Sequence, residues 1–298
     1  LFLSAAVHGD EINGVEIIRR ILSLSSIKRL KGTLLAVPIV NVFGFDGHSR
    51  YLPDRRDLNR NFPGREQGTL AGRLAHIFMT EIVARSDIGI DLHTAAIHRD
   101  NFPQIRADLK DEKLNVLARA FSSPVLLHSA PPDGSLRASA ANESVSVMVY
   151  EAGEALRFDE VSIRVAVRGV LNVMRELGML QKPKRKNTKP AVLLRSSVWV
   201  RASKSGILRA QVKLGDMVFK GDTLGLISDP VGQTDDIVEA VSDGIIIGRT
   251  NIPLVYEGEA LFHIGRTRQT SLLEEHLDTL QDEDALTPPE LIEEPVIV

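Results

Sequence analysis

Two histidines and a glutamate stand where metal chemistry is expected. His8 and Glu11 are three residues apart, directly after a short apolar run, and His93 ends a second such run. Open α/β folds place their ligands at the carboxyl ends of buried strands. Two imidazoles and one carboxylate are a known catalytic zinc set that leaves one position for water. These residues are therefore a candidate zinc site.

Two aspartates could orient the histidines of this site. Alternation along the predicted strand puts Asp91 on the same side as His93, and Asp10 lies within the HGDE segment. A carboxylate that accepts the second ring N–H of a liganding histidine fixes its tautomer. Either aspartate could serve. Isolated histidines often have no ligand role, so the prediction depends on both groups lying at strand ends.

An arginine-rich segment follows the second predicted strand. Residues 41–68 show little hydrophobic periodicity, and such long loops are usually functional or disordered. Within it, Arg60 could grip a substrate carboxylate bidentately, with the amide of Asn59 beside it. The alternative is a turn with an exposed arginine. Three further arginines make the loop a concentrated anion-binding candidate: Arg50, Arg55 and Arg56.

A carboxylate also ends the predicted strand VSVMVY. Glu151 could deprotonate a water beside a metal and then protonate a leaving nitrogen. Glu154, three residues on, competes for this role. The plainer alternative is a surface glutamate that caps the following helix.

The elements that must position these residues alternate between strand and helix. This alternation predicts an α/β domain with a mainly parallel sheet and helices on both faces. Apolar runs predict strands at residues 1–7, 33–40, 88–93, 124–128 and 145–150. Helical spacing predicts helices at residues 15–22, 70–82, 114–121 and 161–180.

The composition changes near residue 182, and four segments are predicted. They are a catalytic domain (1–182), a basic, proline-containing linker (183–190), a β-rich, barrel-like domain (191–266) and an acidic tail (267–298). Two similar segments begin at Val200 and Val238, with Gly206 matching Gly244. Such duplication predicts a small β-domain built from two related halves.

Composition excludes several classes of function. The net charge of -3 gives a nucleic-acid partner no electrostatic support. No apolar run reaches the roughly 18–20 residues of a membrane span, so no membrane partner is expected. Cysteine is absent, which excludes disulfides and thiolate catalysis. A cytoplasmic location is expected. Because Leu1 begins what reads as mid-strand, further residues are expected ahead of it in the native protein.

Four ordered motifs resemble those of the succinylglutamate desuccinylase/aspartoacylase family, a branch of the zinc carboxypeptidase clan. They are HGDE (8–11), RYLPDRRDLNRNFPG (50–64), DLHTA (91–95) and YEAG (150–153). The β-rich region is also similar to the family's C-terminal domain. The resemblance implies a zinc-carboxypeptidase-like mixed sheet with helices on both faces, plus a small C-terminal β-rich domain.

The resemblance also implies a role for each site residue. It implies one zinc ion per chain, bound by His8, Glu11 and His93. It implies that Glu151 is the general base and acid.

For the substrate, it implies that Asn59 and Arg60 hold a carboxylate. The family's carbonyl-polarising arginine precedes a tyrosine, as Arg50 precedes Tyr51 here. Two extra residues follow in this chain, so Arg56 is a rival for that role.

The implied activity is zinc-dependent hydrolysis of the amide bond of a small N-acyl amino acid. One alternative is a zinc carboxypeptidase acting on short peptides or cell-wall fragments, and another is metal binding without catalysis. A carrier module is a third, because the β-rich region resembles the lipoyl/biotinyl barrel. No lysine stands near residues 229–236, where such a cofactor would attach. The region is instead expected to cover the active site or to mediate homo-oligomer contact.

Overall fold

The computed structural model describes residues 1–182, 190–232 and 235–267. The strands of the first part are β1 (Phe2–Ala5), β2 (Leu35–Val37), β3 (Ile88–Ala95), β4 (Arg99–Ala107), β5 (Val125–His128) and β6 (Ser146–Glu154). Its helices are α1 (Asn13–Ser23), α2 (Val42–Asp46), α3 (Leu70–Glu81), α4 (Glu112–Phe121), α5 (Leu136–Asn142) and α6 (Glu160–Glu176). Single 3-10 turns occupy Ile27–Arg29, Leu58–Arg60 and Val83–Arg85.

The described residues of the second part form strands only. They are β7 (Val192–Leu194), β8 (Ser197–Arg201), β9 (Gly206–Ala210), β10 (Met217–Val218), β11 (Thr223–Ser228), β12 (Asp235–Glu239), β13 (Gly244–Thr250), β14 (Leu254–Val255) and β15 (Ala260–Arg266). The predicted linker (183–190) lies outside the described residues except for Pro190. The predicted tail (267–298) lies outside them except for Thr267.

A mixed sheet of 11 strands runs through both parts of the described chain. Its main path is β2-β1-β3-β6-β4-β13-β15-β8. Strands β2, β1, β3 and β6 pair in parallel, whereas β4 pairs antiparallel with β6. Beyond this pair, β4 runs parallel to β5 and β5 runs parallel to β7, so the first part is mainly parallel as the alternation predicted. The antiparallel pairs of β4 with β6 and with β13 make the whole sheet mixed, as the resemblance implied.

Two hydrophobic cores cover the two faces of this sheet, because successive strand residues point to opposite sides. One core joins the sheet to α1, α4 and α6 and includes Leu3, Ile18, Ile90, Phe121, Tyr150 and Val170. The other joins it to α3 and α5 and includes Phe2, Phe78, Leu136 and Val147. Helices on both faces are thus confirmed.

Helix ends follow local capping chemistry. The side chains of Thr69, Asp111, Ser135 and Asp159 accept hydrogen bonds from backbone N–H groups in the first turns of α3, α4, α5 and α6. Helix α6 ends at Glu176, before Gly178, whose φ of 74° is left-handed. Capping therefore ends this helix earlier than the apolar spacing predicted.

The β-rich region is built from two related halves, as predicted from the sequence duplication. Gly206 begins β9 and Gly244 begins β13. Each half contains a long antiparallel pair, β9 with β11 and β13 with β15. The short middle strands are exchanged, since β10 pairs with β13 and β14 pairs with β9. Neither half can complete its sheet without the other.

The β-rich region continues the sheet of the first part directly. One edge of β4 pairs with β6. Its other edge is shared, with residues Arg99–Asn101 pairing with β13 and Gln104–Ala107 pairing with β5. Among the described residues, no helix combines the length and apolar character needed to cross a membrane.

Candidate functional site

His8, Glu11 and His93 converge at the ends of β1 and β3. The Nδ1 atoms of the two histidines lie 2.7 Å from the two carboxylate oxygens of Glu11, one on each. One potential ligand atom from each of the three residues lies within 4.8 Å of the others. All three side chains are buried. The residues predicted from two distant segments therefore share one compact cluster.

Backbone contacts hold this cluster in place. The turn after β1 is closed by a hydrogen bond from the Glu11 N–H to the His8 carbonyl, at 3.1 Å. Gly9 lies within this turn against α2, and a Cβ there would come within 2.0 Å of the Gly44 backbone. The Thr94 N–H donates to Glu11 at 3.1 Å. The HGDE spacing thus folds as a tight turn that glycine alone permits.

Two aspartates contact the outer nitrogens of the histidines. Asp91 Oδ2 lies 2.7 Å from His93 Nε2, and the Ser4 hydroxyl donates to the other Asp91 oxygen at 2.7 Å. Asp57 Oδ1 lies 3.2 Å from His8 Nε2. Of the two aspartates weighed from the sequence, Asp91 occupies the orienting position. Asp10 is buried, and its Oδ1 has no partner among the described residues.

The charges of the cluster are strongly coupled. Burial alone would lower the pKa of His93, but Asp91 and Glu11 raise it well above its ordinary value. Burial likewise opposes the raised pKa of His8, which Glu11 and Asp57 outweigh. Burial would raise the pKa of Glu11, yet the two histidines lower it. Such a carboxylate between two imidazoles is an environment that favours a shared cation.

The two rival arginines lie in different surroundings. Arg50 is half-buried and donates to Glu11 at 3.1 Å and to Asp57 at 3.0 Å. Arg56 is exposed, and its nearest carboxylate is Asp54 at 3.8 Å. Only Arg50 of this pair is brought to the cluster of His8, Glu11 and His93.

Glu151 stands beside the cluster on the adjacent strand. It is the register partner of His93 across β3 and β6. Its Oε2 accepts a hydrogen bond from Asn101 at 2.9 Å, and its Oε1 lies 3.4 Å from Arg106. Glu154 is engaged elsewhere, accepting from the His98 N–H and from Asn251.

The predicted carboxylate-binding pair lies in the 3-10 turn Leu58–Arg60. Asn59 Oδ1 accepts the Leu136 N–H at 2.9 Å, which joins this turn to the start of α5. The Asn59 amide nitrogen is thereby directed away from that bond. Arg60 is exposed and donates to the Asn59 carbonyl at 2.7 Å.

Sequence reasoning did not assign Asn101 and Arg137, two polar residues near Glu151. Asn101 and Arg106 lie on β4, a strand that the sequence analysis did not predict. Arg137 lies on α5 and is 8% exposed, donating to the Ser129 and Ala130 carbonyls. Burial and nearby Arg106 lower the pKa of Arg137 to about 10. A buried arginine with neutral partners is a local excess of positive charge, and no spacing pattern signalled it.

The fold and the cluster define a class: an α/β protein with a candidate metal site at the ends of its parallel strands and an appended β-rich region. The model of the succinylglutamate desuccinylase/aspartoacylase catalytic domain matches residues 1–177. The chain therefore belongs to this family of N-acyl amino acid deacylases, as the four motifs predicted.

Characterised relatives agree with this membership. An N-alpha-acetyl-L-2,4-diaminobutyric acid deacetylase from Halomonas elongata is 24% identical over 260 residues, covering 83% of this chain and 76% of the relative. A product-bound ectoine utilization protein from Ruegeria pomeroyi is 25% identical, with a TM-score of 0.81 over 89% of this chain and 85% of its own. A succinylglutamate desuccinylase/aspartoacylase from Rhodobacter sphaeroides is also 25% identical, with a TM-score of 0.79 over 88% and 84%.

Proposed function

We propose that this chain is a zinc-dependent hydrolase that cleaves the amide bond of a small N-acyl amino acid. The observation that carries the proposal is the His8, Glu11 and His93 cluster with Glu151 on the neighbouring strand. Family membership supports amide hydrolysis, and the donor set supports the metal.

The donor set fits zinc on chemical grounds. Two imidazole nitrogens and one carboxylate suit a borderline-soft divalent ion, and three protein ligands are typical of catalytic rather than structural zinc sites. Asp91 against His93 and Asp57 against His8 supply the outer hydrogen bonds that orient metal-bound imidazoles. Zinc bound there would supply Lewis-acid polarisation of the scissile carbonyl and activation of a water.

The remaining steps use side chains of this chain. Glu151 accepts the proton of the attacking water and returns it to the leaving nitrogen. Asn101 and Arg106, which contact its two oxygens, hold its carboxylate in position. Arg50 stabilises the negative charge that develops on the carbonyl oxygen, because its guanidinium is fixed beside the metal ligands.

The orientation of the substrate follows from the need for Glu151 to protonate the leaving nitrogen. Arg60 and the amide nitrogen of Asn59 bind the carboxylate of the amino-acid part. The leaving nitrogen then faces Glu151, and the acyl carbonyl lies over His8, Glu11 and His93. Fixing the carboxylate in this way aligns the amide for attack, which is a proximity effect. A cytoplasmic location and a homo-oligomeric state accompany this proposal as predictions.

The test is a hydrolysis panel with the zinc-loaded protein. N-acetyl, N-succinyl and longer N-acyl derivatives of several amino acids are compared with dipeptides and tripeptides, and released amine is quantified. We expect turnover of at least one N-acyl amino acid and loss of turnover after chelation, restored by zinc. Cleavage confined to peptides would favour the carboxypeptidase alternative. No turnover of any substrate would overturn the hydrolase proposal.

A further inference from the structure

His263 lies on the same face of the continuous sheet as Glu151. Gly248 on β13 is the register partner of both Asn101 on β4 and His263 on β15. A Cβ at position 248 would meet Asn101 Oδ1 at 2.8 Å and the His263 Cβ at 3.3 Å. The side chains of Asn101 and His263 therefore pack closely against both sides of Gly248, where a larger residue would not fit without a shift. Because Asn101 also contacts Glu151, a row of polar groups leads from Glu151 into the β-rich region.

The imidazole of His263 is held in place, but its Nδ1 has no hydrogen-bond partner in the part of the chain that the structure describes. Its ring stacks on Trp199 with the centroids 4.4 Å apart and the planes 9° apart. The residue is 6% exposed, and its Nδ1 is buried without a partner among the described residues. Stacking occupies a ring face, whereas the nitrogens bond within the ring plane. A buried nitrogen without a hydrogen-bond partner is energetically unfavourable, so a bound ligand that supplied a partner would be favoured here.

The protonation state limits what His263 can recognise. Burial, and secondarily the charge of Arg106, lowers its pKa to about 3. The ring is therefore neutral at ordinary pH and offers one N–H donor and one acceptor nitrogen. The influence of Arg106, which itself contacts Glu151, shows that His263 belongs to the same electrostatic environment as the site. Positive charge there favours an acceptor oxygen and disfavours an ammonium group.

The row of polar side chains runs from Glu151 through Asn101 to His263. The part of the substrate next to Glu151 is therefore the part that can extend along it. If Glu151 protonates the leaving nitrogen, the amino-acid part begins beside Glu151. Three strand spacings of about 4.8 Å separate β6 from β15, so the two backbones are about 14 Å apart. An amino acid with a side chain about as long as that of glutamine, lying on the sheet surface over β4 and β13, would extend from Glu151 toward His263.

We propose that His263 hydrogen-bonds to the side chain of the amino-acid part of the substrate, and that it selects side chains ending in a carboxamide or carboxylate oxygen. This inference rests on the proposed hydrolase function and deepens it. The β-rich region would then supply a specificity residue and not only a cover for the site.

The experiment compares three substrates that share whichever acyl group the hydrolysis panel selects. They are the N-acyl derivatives of glutamine, glutamate and norleucine, the last being an apolar analogue of similar length. We expect the wild type to prefer the first two by about tenfold or more in kcat/KM, since a site built around a polar contact rejects an analogue that lacks it.

Variants at position 263 separate recognition from packing. H263F keeps an aromatic ring on Trp199 but removes both nitrogens, so KM for the polar substrates should rise about tenfold with kcat within about twofold. The norleucine derivative should be unaffected. H263N, which retains an N–H donor, should recover part of the preference. H76Q, a histidine change on α3, serves as the matched control and should leave all three substrates unchanged.

The outcomes distinguish the proposed role of His263 from the proposed hydrolase function on which it rests. No turnover of any substrate by the wild type would count against the hydrolase function itself. Turnover without preference for the polar side chains, or a preference for a side-chain ammonium, would overturn the role of His263. Equal losses on all three substrates in H263F would also overturn it, because they would show a packing role alone. Zinc content and the melting temperature of each variant complete the comparison.

Discussion

His93 and Glu151 are register partners on the adjacent parallel strands β3 and β6. Their side chains share one face of the sheet, whereas Leu92 and Tyr150 share the opposite face within a hydrophobic core. A slip of one residue in this pairing would bury the glutamate in that core and expose the tyrosine. The apolar pattern of two strands therefore fixes the position of the proposed base beside the proposed metal ligand.

Replacement of the proposed base tests its role directly. E151Q should bind zinc as the wild type does but lose about 10²- to 10⁴-fold in kcat, because an amide cannot accept the proton. Metal analysis and steady-state kinetics check this. E154Q is the matched control, since Glu154 contacts His98 and Asn251, and it should keep most of the activity. Substantial turnover by E151Q would remove Glu151 from the mechanism.

The two rival arginines should differ sharply in effect. R50Q should lower kcat by about 10²- to 10³-fold, the usual loss for one donor to a developing oxyanion. R56Q should stay within about twofold of the wild type, because its side chain is exposed and distant from the cluster. Zinc affinity is measured alongside, since Arg50 also contacts Glu11. A larger loss in R56Q would reverse the assignment.

Substitution of the proposed carboxylate anchor should affect binding more than metal content. R60A is expected to raise KM by about 10- to 100-fold, corresponding to loss of one charge-assisted contact, while zinc stoichiometry stays unchanged. R65A, an exposed arginine change in the same loop, provides the comparison. An unchanged KM in R60A would show that the substrate carboxylate is bound elsewhere, with buried Arg137 the next residue to examine.

The orienting aspartate should control metal affinity. D91N weakens the hydrogen bond that holds the His93 ring, so zinc should bind about 10- to 100-fold more weakly. D10N should change the affinity little, because Asp10 contacts neither imidazole among the described residues. Competition with a chromogenic chelator measures both. Equal weakening in the two variants would indicate a general charge effect and not orientation of His93.

A partly buried acid on the opposite side of β4, Asp100, should make stability depend on pH. Burial, followed by repulsion from Asp159 and Glu154, raises the pKa of Asp100 to about 6. The folded state therefore binds this proton more tightly than the unfolded chain, and stability falls as pH rises from about 4 to 6. D100N should stabilise the protein by about 1–2 kcal/mol at pH 7.5 and by little at pH 4.

Urea unfolding at both values of pH measures the effect of D100N. D46N, an exposed aspartate change, is the control and should show no such difference. Stabilisation by D100N that is equal at pH 4 and pH 7.5 would contradict a titration at Asp100.

Much of the first part could be predicted because its strands and helices carry strong apolar patterns. β3 is buried along its whole length, and the proposed ligand His93 falls near its end as the pattern indicated. β4 could not be predicted in the same way, since it carries Arg99, Asp100 and Arg106 and is interrupted by Pro103. Its polar residues are satisfied by tertiary contacts, such as that of Gln104 with the Ile247 carbonyl, which no local pattern encodes.

The candidate site likewise contains residues that a local pattern predicts and residues that it does not. His8, Glu11 and Glu151 follow apolar runs directly, so their positions at strand ends could be expected from the sequence. The supporting residues Asn101 and Arg106 reach Glu151 through the antiparallel pairing of β4 with β6, and His263 joins them through the pairing of β13 with β4. Both pairings are long-range contacts without a local signal.

One edge of β4 pairs partly with β13 and partly with β5, and this matters for experiments that truncate the chain. A fragment ending at residue 182 would leave the amide and carbonyl groups of Arg99–Asn101 facing water beside an apolar surface. Open strand edges of this kind recruit other chains, so we expect such a fragment to self-associate and not to behave as a free-standing enzyme. Evolutionary loss or exchange of the C-terminal half would therefore require a replacement strand at the same place.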